Sequence, residues 1–162
     1  GRSIRRAIES SYDRFHDYER TMQLNYFGCL RITMGLLPAM VAKKSGHIVN
    51  ISSIGVLTNA PRFSAYVASK AALDQHARAA MLDAPAGTRI ASLAPGVVDT
   101  AMQAEIRATP PGNFPQKTRF EALARDGQLS SPADCARRLL DYMLSETFGT
   151  QPVVNLRDIP DL

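Results

Sequence analysis

The sequence predicts an α/β domain: a parallel sheet covered by helices on both faces. Two observations carry that expectation. The runs HIVNISS (residues 47–53) and TRIASLAP (88–95) are short, β-branched and apolar without alternation, the pattern of strands buried on both sides. Long helical stretches separate such runs, and strands that alternate with helices pair in parallel through crossover connections.

The elements follow in order. Residues 1–16 are polar and irregular, with room for one short helical piece. From about Asp17 to Lys44, Leu24, Phe27, Leu30, Met34, Leu37 and Val41 recur at three- and four-residue steps, which predicts an amphipathic helix. Pro38 sits in its later turns and is expected to bend it. Lys43, Lys44, Ser45 and Gly46 read as its end, with cations in the last turn and Gly46 supplying the left-handed residue. The first strand covers about 47–52, and a loop with Gly55, Asn59 and Pro61 follows. An Ala-rich helix runs from about Phe63 to Asp83 and stops at APAG. The second strand closes on Pro95-Gly96. Residues 101–129 form a polar, partly helical excursion broken by Pro110-Pro111 and Pro115. Ser131-Pro132-Ala133-Asp134 starts a helix with a Ser cap, a Pro at the first position and an acid in the first turn, and it runs to about Ser145. QPVVNL (151–156) reads as a short last strand. Three strands make a meagre parallel sheet, so further strands are expected before Gly1. The chain opens on Gly1-Arg2-Ser3 without a Met and reads as cut from something longer.

The totals bound the function. The chain has 162 residues, 45% of them hydrophobic and 21% charged, which suits one globular domain. No run of eighteen apolar residues is present, so no membrane span is expected, and the polar, Arg-rich start is not a signal peptide. The net charge of +4 reads as scattered surface arginine. Arg2, Arg5 and Arg6 cluster, but no basic stripe with interleaved aromatics follows, so no nucleic-acid partner is expected. Cys29 and Cys135 stand far apart, which fits two thiols in a reducing, cytoplasmic setting rather than a disulfide framework. No His/Cys spacing predicts a metal site.

One stretch carries chemistry: SSIGVLTNAPRFSAYVASK, Ser52 to Lys70. In open parallel sheets ligands bind beyond the carboxyl ends of the strands. Ser53 lies just past the first strand and Pro95-Gly96 just past the second. Tyr66 and Lys70 are spaced i, i+4 at the start of the helix between them, on one face. A phenol with a pKa near 10 is a poor acid or base at neutral pH. A neighbouring ammonium favours the phenolate and is expected to lower that pKa. Tyr66 could then exchange a proton with a carbonyl or carbinol oxygen, while Ser53 holds that oxygen by a hydrogen bond.

HIVNISS, YVASK at Tyr66–Lys70 and LAPGVVDTAM resemble the short-chain dehydrogenase/reductase family, whose S-before-Y, Y-x-x-x-K and P-G-x-V-x-T motifs match in order and register. LNYFG adds the family's N-x-x-G, with Asn25 in the helix before the serine strand. The resemblance implies an α/β, Rossmann-like doubly wound parallel sheet whose N-terminal dinucleotide-binding strands are missing, since no T-G-x-x-x-G-x-G turn is present. Residues 1–162 would be the C-terminal part of one such domain, with roughly a third of it preceding Gly1. It implies Asn25, Ser53, Tyr66 and Lys70 as the catalytic group, with Asn25 kinking its helix and holding a water that links Lys70 to solvent. It implies contact with the cofactor by Gly1, as the last residue of an N-N-A-G segment, and by Tyr66, Lys70, Pro95, Gly96, Val98 and Thr100. The cofactor implied is NAD(P), with NADP slightly favoured, and the substrate a small carbonyl or alcohol. It implies a homodimer or homotetramer through the two long helices. The part through SKAALD is similar to reductases of acyl or lipid-like carbonyls, and the part from LAPGVVDTAMQAEIR to LRDI to sepiapterin-reductase-type members.

Blander readings stand beside these. Tyr66 alone reads as a packed aromatic, Asn25 as a solvated mid-helix residue, and Ser52 as structural because Ser53 has the better register. Met102, Ile106, Phe114 and Phe120 suit either core positions or a substrate lid over 101–129. Two functions follow: an oxidoreductase, or a non-catalytic piece that acts only in association through an exposed helical stripe. Without the phosphate-cradling turn, the 162-residue chain alone is expected to be inactive.

Overall fold

In the computed structural model, residues 13–58, 61–110, 112 and 114–160 are described. Helix α1 (Phe15–Met22) passes through a π-helical turn (Gln23–Phe27) into α2 (Gly28–Lys43). Strand β1 (Gly46–Ile51) leads to a single turn, α3 (Gly55–Thr58), and to the long α4 (Ser64–Ala80). Strand β2 (Thr88–Ala94), helices α5 (Ala101–Ala108), α6 (Lys117–Arg125) and α7 (Pro132–Leu144), and strand β3 (Val153–Asn155) complete the described elements.

The three strands pair in parallel in the order β1-β2-β3, with Ile48 opposite Ile90 and Leu93 opposite Val154. Side chains alternate between the faces of a strand, and β2 shows what each face meets. Ala91 and Leu93 point to one side, where they pack with Tyr142 of α7, Phe148 and Leu156. Ser92 points to the other, where it bonds Asp74 of α4. Leu73 and Ala77 of α4 are fully buried. The sheet therefore has helices on both faces, as the non-alternating strands require. A satellite cluster of Phe63, Ile106 and Phe114 packs between the start of α4 and the excursion after β2.

Several local features differ from the sequence reading. The helix expected over 17–44 is continuous through Pro38; the carbonyl that proline leaves unpaired is that of Met34, an exposed residue, where water can serve it. The irregularity falls instead at Asn25, in the π-helical turn. Gly28 permits that turn, because a Cβ there would press to 3.3 Å on the Gln23 carbonyl. The left-handed residue after α2 is Lys44, with φ 50°, not Gly46. Gly46 has entered β1, and a Cβ there would meet the Met40 side chain at 2.6 Å. The continuous helix Phe15–Lys43 is 29 residues long and, by length and composition, apolar enough to cross a membrane, which the sequence pattern did not flag. Its buried residues are polar, Asp17, Thr21 and Asn25, and it packs on α4 and β1 as a helix layered on a sheet does.

Candidate active site

The carboxyl ends of β1 and β2 lie side by side, joined by the Ser52 amide donating to the Leu93 carbonyl at 2.8 Å. Ser53 follows directly, and Pro95-Gly96 follows β2. Gly96 takes φ +83°, which lets the chain turn away from the sheet, and its Cα packs on Arg157, so that a Cβ would come within 2.8 Å of Nε. Helix α4 starts beside both loops. A cavity of about 570 Å³ opens where they meet, lined by Ser53, Tyr66, Lys70, Pro95, Gly96, Val98 and Thr100. Met102, Ile106, Phe120 and Leu123 of α5 and α6 form its apolar far wall. Seven of the residues named from sequence thus converge. Asn25 stands behind them, and Gly1 lies outside the described residues.

The Ser53 Oγ accepts the Gly55 amide at 3.1 Å, which fixes the serine rotamer toward the cavity. Burial raises the Tyr66 phenol above its ordinary pKa, and a hydrogen bond from Ser53 pulls it back down. Lys70 is 8% exposed, and its Nζ donates to the Ile51 carbonyl at 2.6 Å, at the last residue of β1. Burial lowers the pKa of that ammonium; Cys29 and Asp74 act in the other direction. The expectation that Lys70 lowers the phenol's pKa is not met here. Desolvation dominates at both groups, and the ammonium is turned to a backbone carbonyl.

Asn25 is 2% exposed. Its Nδ2 donates to the Ser69 Oγ at 3.0 Å, and Ser69 donates to the Tyr66 carbonyl at 2.7 Å. The asparagine that opens the first helix is therefore tied to the turn of α4 that carries Tyr66 and Lys70. A second groove, of about 420 Å³, runs behind the site and is lined by Asn25, Cys29 and Lys70 among others.

Sequence reasoning missed some of these residues. Ser52, read as structural, lines the cavity with a hydroxyl that has no partner and is 3% exposed as a residue. Arg157, Cys135 and Leu139 also line it, from the far end of the chain. Nothing local marks them, because the crossover that brings α7 and the end of β3 to this edge is a property of the sheet order. Ser69 could have been found from its place in YVASK. Met102, Ile106 and Phe120 serve both readings, packing in the satellite cluster and facing the cavity, while Phe114 is wholly buried.

The family model described as short chain dehydrogenase matches residues 4–111, well over half of the chain. A fatty acyl-CoA reductase of Acinetobacter baylyi is 70% identical over 78 residues, 48% of this chain and 26% of that protein. Dehydrogenase/reductase SDR family member 7B of Danio rerio is 33% identical over 120 residues, 74% of this chain and 37% of that protein. Among solved structures, the KRED1-Pglu enzyme superposes with a TM-score of 0.80 at 28% identity over 90% of this chain and 61% of the other. A short-chain dehydrogenase from Streptomyces avermitilis gives 0.73 at 28% identity over 96% and 57%. The chain thus covers about three fifths of these solved chains, and its matches span from a quarter to under two fifths of those curated relatives. The fold is Rossmann-like, the motifs sit at the strand ends where that fold places ligands, and the model match runs through Ser53, Tyr66, Lys70 and Pro95-Gly96: this chain belongs to the short-chain dehydrogenase/reductase family of oxidoreductases.

Proposed function

We propose that this chain forms the catalytic side of a nicotinamide-dependent reductase of apolar carbonyl compounds. The observation that carries the reading is the convergence of Ser53, Tyr66, Lys70 and the Pro95–Thr100 loop on one cavity with an apolar far wall. The residues fit the nicotinamide-ribose end of NAD(P): the orphaned Ser52 hydroxyl and the Lys70 ammonium are buried donors facing a pocket of suitable size. Lys70 would hold ribose hydroxyls, and Pro95, Gly96, Val98 and Thr100 would line the nicotinamide side, with NADP favoured by the resemblance. When bound, that group supplies the hydride.

The chain's own residues handle the oxygen and its proton. Ser53 donates a hydrogen bond to the substrate oxygen as negative charge grows on it. Tyr66 gives that oxygen its proton, and its raised pKa keeps the phenol protonated at neutral pH, ready to act as an acid. Lys70 opposes the negative charge the phenolate then carries. Asn25 holds the α4 turn through Ser69, and the groove it shares with Lys70 gives a water a path to the ammonium. Residues 101–129 act as the lid, with Met102, Ile106 and Phe120 packing on the substrate chain. The acyl-CoA reductase likeness and these apolar walls point to a carbonyl carried on a hydrocarbon chain. Exposed Ile32, Met34, Leu36 and Val41 along α2 favour assembly into a dimer or tetramer.

The test uses the full-length protein with NADPH or NADH and long-chain aldehydes or acyl thioesters, following nicotinamide absorbance. Wild type is expected to turn over, and Tyr66→Phe to lose at least about 100-fold with an unchanged melting temperature. Near wild-type turnover by Tyr66→Phe overturns the assignment.

A further inference from the structure

Lys70 has a neighbour that the proton chemistry above does not use. Asp74 lies one turn beyond Lys70 on α4, as Lys70 lies one turn beyond Tyr66, so the three share a helix face. Asp74 is 9% exposed. A carboxylate buried to this degree requires both hydrogen bonds and a compensating cation. The hydrogen bond comes from Ser92, a fully buried residue of the central strand whose Oγ donates to Asp74 Oδ1 at 2.6 Å. Ser92 pairs with Asn50 across the sheet, and the residue after Asn50 is Ile51, whose carbonyl holds the Lys70 ammonium. Carboxylate, hydroxyl, carbonyl and ammonium thus form one cluster spanning α4, β2 and β1.

The plain alternative is a structural tie between α4 and β2. A neutral serine-amide pair makes that tie without placing a charge in the interior, and leaving an ion there uncompensated costs several kcal/mol. The buried cation on that helix face is Lys70, one turn before Asp74; its ammonium is bonded to the Ile51 carbonyl and acts on the carboxylate through space, without a direct ion pair. The groups that face Lys70 are the Ile51 carbonyl from β1, the Cys29 thiol from α2, and Asp74 and Tyr66 from its own helix. Asp74 accepts from Ser92 of β2, and on its own helix Lys70 stands one turn before it and the exposed Arg78 one turn after.

We infer that Asp74 is a positioning residue of the reaction: fixed by Ser92, its carboxylate holds a negative charge one turn from Lys70 and so keeps the ammonium behind Tyr66 charged. The inference rests on the role given to Lys70 and Tyr66 above. Its sign follows from charge alone. Removing an anion makes both the ammonium and the phenol release their protons more readily, so the alkaline limb of the reductive reaction moves to lower pH.

The experiment compares the full-length wild type with Asp74→Asn, Asp74→Ser and Asp74→Glu by two readouts. The first needs neither cofactor nor substrate: the rate at which Lys70 reacts with an amine-selective acylating reagent, followed by peptide mass spectrometry across a pH series. The second is kcat against pH for carbonyl reduction. Asp74→Asn is expected to raise the labelling of Lys70 near neutral pH several-fold, because the ammonium releases its proton more readily. The alkaline limb of kcat is expected to move to lower pH, and Asp74→Glu to restore most of both. Asp74→Ser carries the test if Asp74→Asn does not fold. Unchanged labelling and an unmoved limb in a folded Asp74 variant overturn the inference and leave a structural tie. A wild type that labels as expected but does not turn over any carbonyl defeats the proposed function while the link between Asp74 and Lys70 stands.

Discussion

Asn25 and Ser69 meet across two helices: the asparagine amide donates to a serine hydroxyl that is itself committed to the Tyr66 carbonyl, at 3.0 and 2.7 Å. Both residues are buried, so neither bond has water as a ready substitute. The link makes the π-helical turn and the start of α4 one unit. Ser69→Ala is expected to destabilise the full-length protein by about 1–3 kcal/mol, because it takes the acceptor from a buried amide donor, and Asn25→Ala by about 1 kcal/mol, since it removes the donor itself. The double variant is expected to cost less than the sum of the two, because both remove the same bond. Chemical denaturation of the four proteins checks this, and strict additivity overturns the link.

Lys70 is stored at a cost. Burial holds its ammonium below the ordinary lysine value. Between the folded value and about 10.4, the unfolded chain keeps a proton that the folded chain has released. Folded stability therefore rises with pH across that window and carries a constant burial penalty below it. Lys70→Met removes that window, so its stability is expected to rise less with pH than that of wild type as pH approaches about 10. It also removes the buried cation that acts on the Asp74 carboxylate, so it is expected to be less stable than wild type at pH 7, and to lose turnover. Melting curves across pH check both. A Lys70→Met variant whose stability rises with pH as steeply as that of wild type overturns the burial account.

These energetic features were not legible in the sequence, although much of the site's placement was. Ser53, Tyr66, Lys70 and Pro95-Gly96 sit at the ends of regular elements, where spacing alone puts them at one sheet edge. The apolar runs at 47–53 and 88–95 likewise suffice for parallel strands. What spacing cannot show is where a side chain turns after tertiary packing. The Lys70 ammonium could be expected beside the phenol from i, i+4 geometry, but it goes to the Ile51 carbonyl, a residue 19 positions away. The same holds for the left-handed residue after α2. Local preference favours Gly46, and Lys44 takes the conformation because the glycine is needed where β1 passes Met40. Arg157 and Ser92 reach the site through sheet order, which no window of the sequence contains.

Two glycines with positive φ give a comparison that separates strain from collision. Gly87, at φ +78°, precedes β2, and a Cβ there would stand 1.8 Å from the Lys44 carbonyl oxygen, which is backbone. Gly96, at φ +83°, would bring its Cβ to 2.8 Å from Arg157 Nε, the far part of a flexible side chain. Each alanine substitution meets a left-handed penalty of about 1–2 kcal/mol. Gly96→Ala is expected to cost little more than that, because Arg157 can swing away. Gly87→Ala is expected to cost more than about 4 kcal/mol or to prevent folding, because the turns before β1 and β2 must separate. Equal melting temperatures for the two variants would contradict this account.

Ser53 is expected to show itself in the position of a pH limb as well as in a rate. Its hydrogen bond favours the phenolate and so opposes the effect of burial on Tyr66. Ser53→Ala removes that support, and the phenol's pKa moves further up. In reduction Tyr66 acts as an acid, so in the free enzyme the protonated form persists to higher pH and the alkaline limb of kcat/KM moves upward. The plateau falls at the same time, by roughly 10- to 1000-fold, because the hydroxyl no longer meets the charge growing on the substrate oxygen. Asp74→Asn moves the alkaline limb downward in kcat/KM as in kcat, so in kcat/KM the two variants are expected to bracket the wild type from opposite sides. Steady-state rates measured across pH on all three proteins check the pair. A Ser53→Ala limb at or below the wild-type position shows that Ser53 does not act on the phenol.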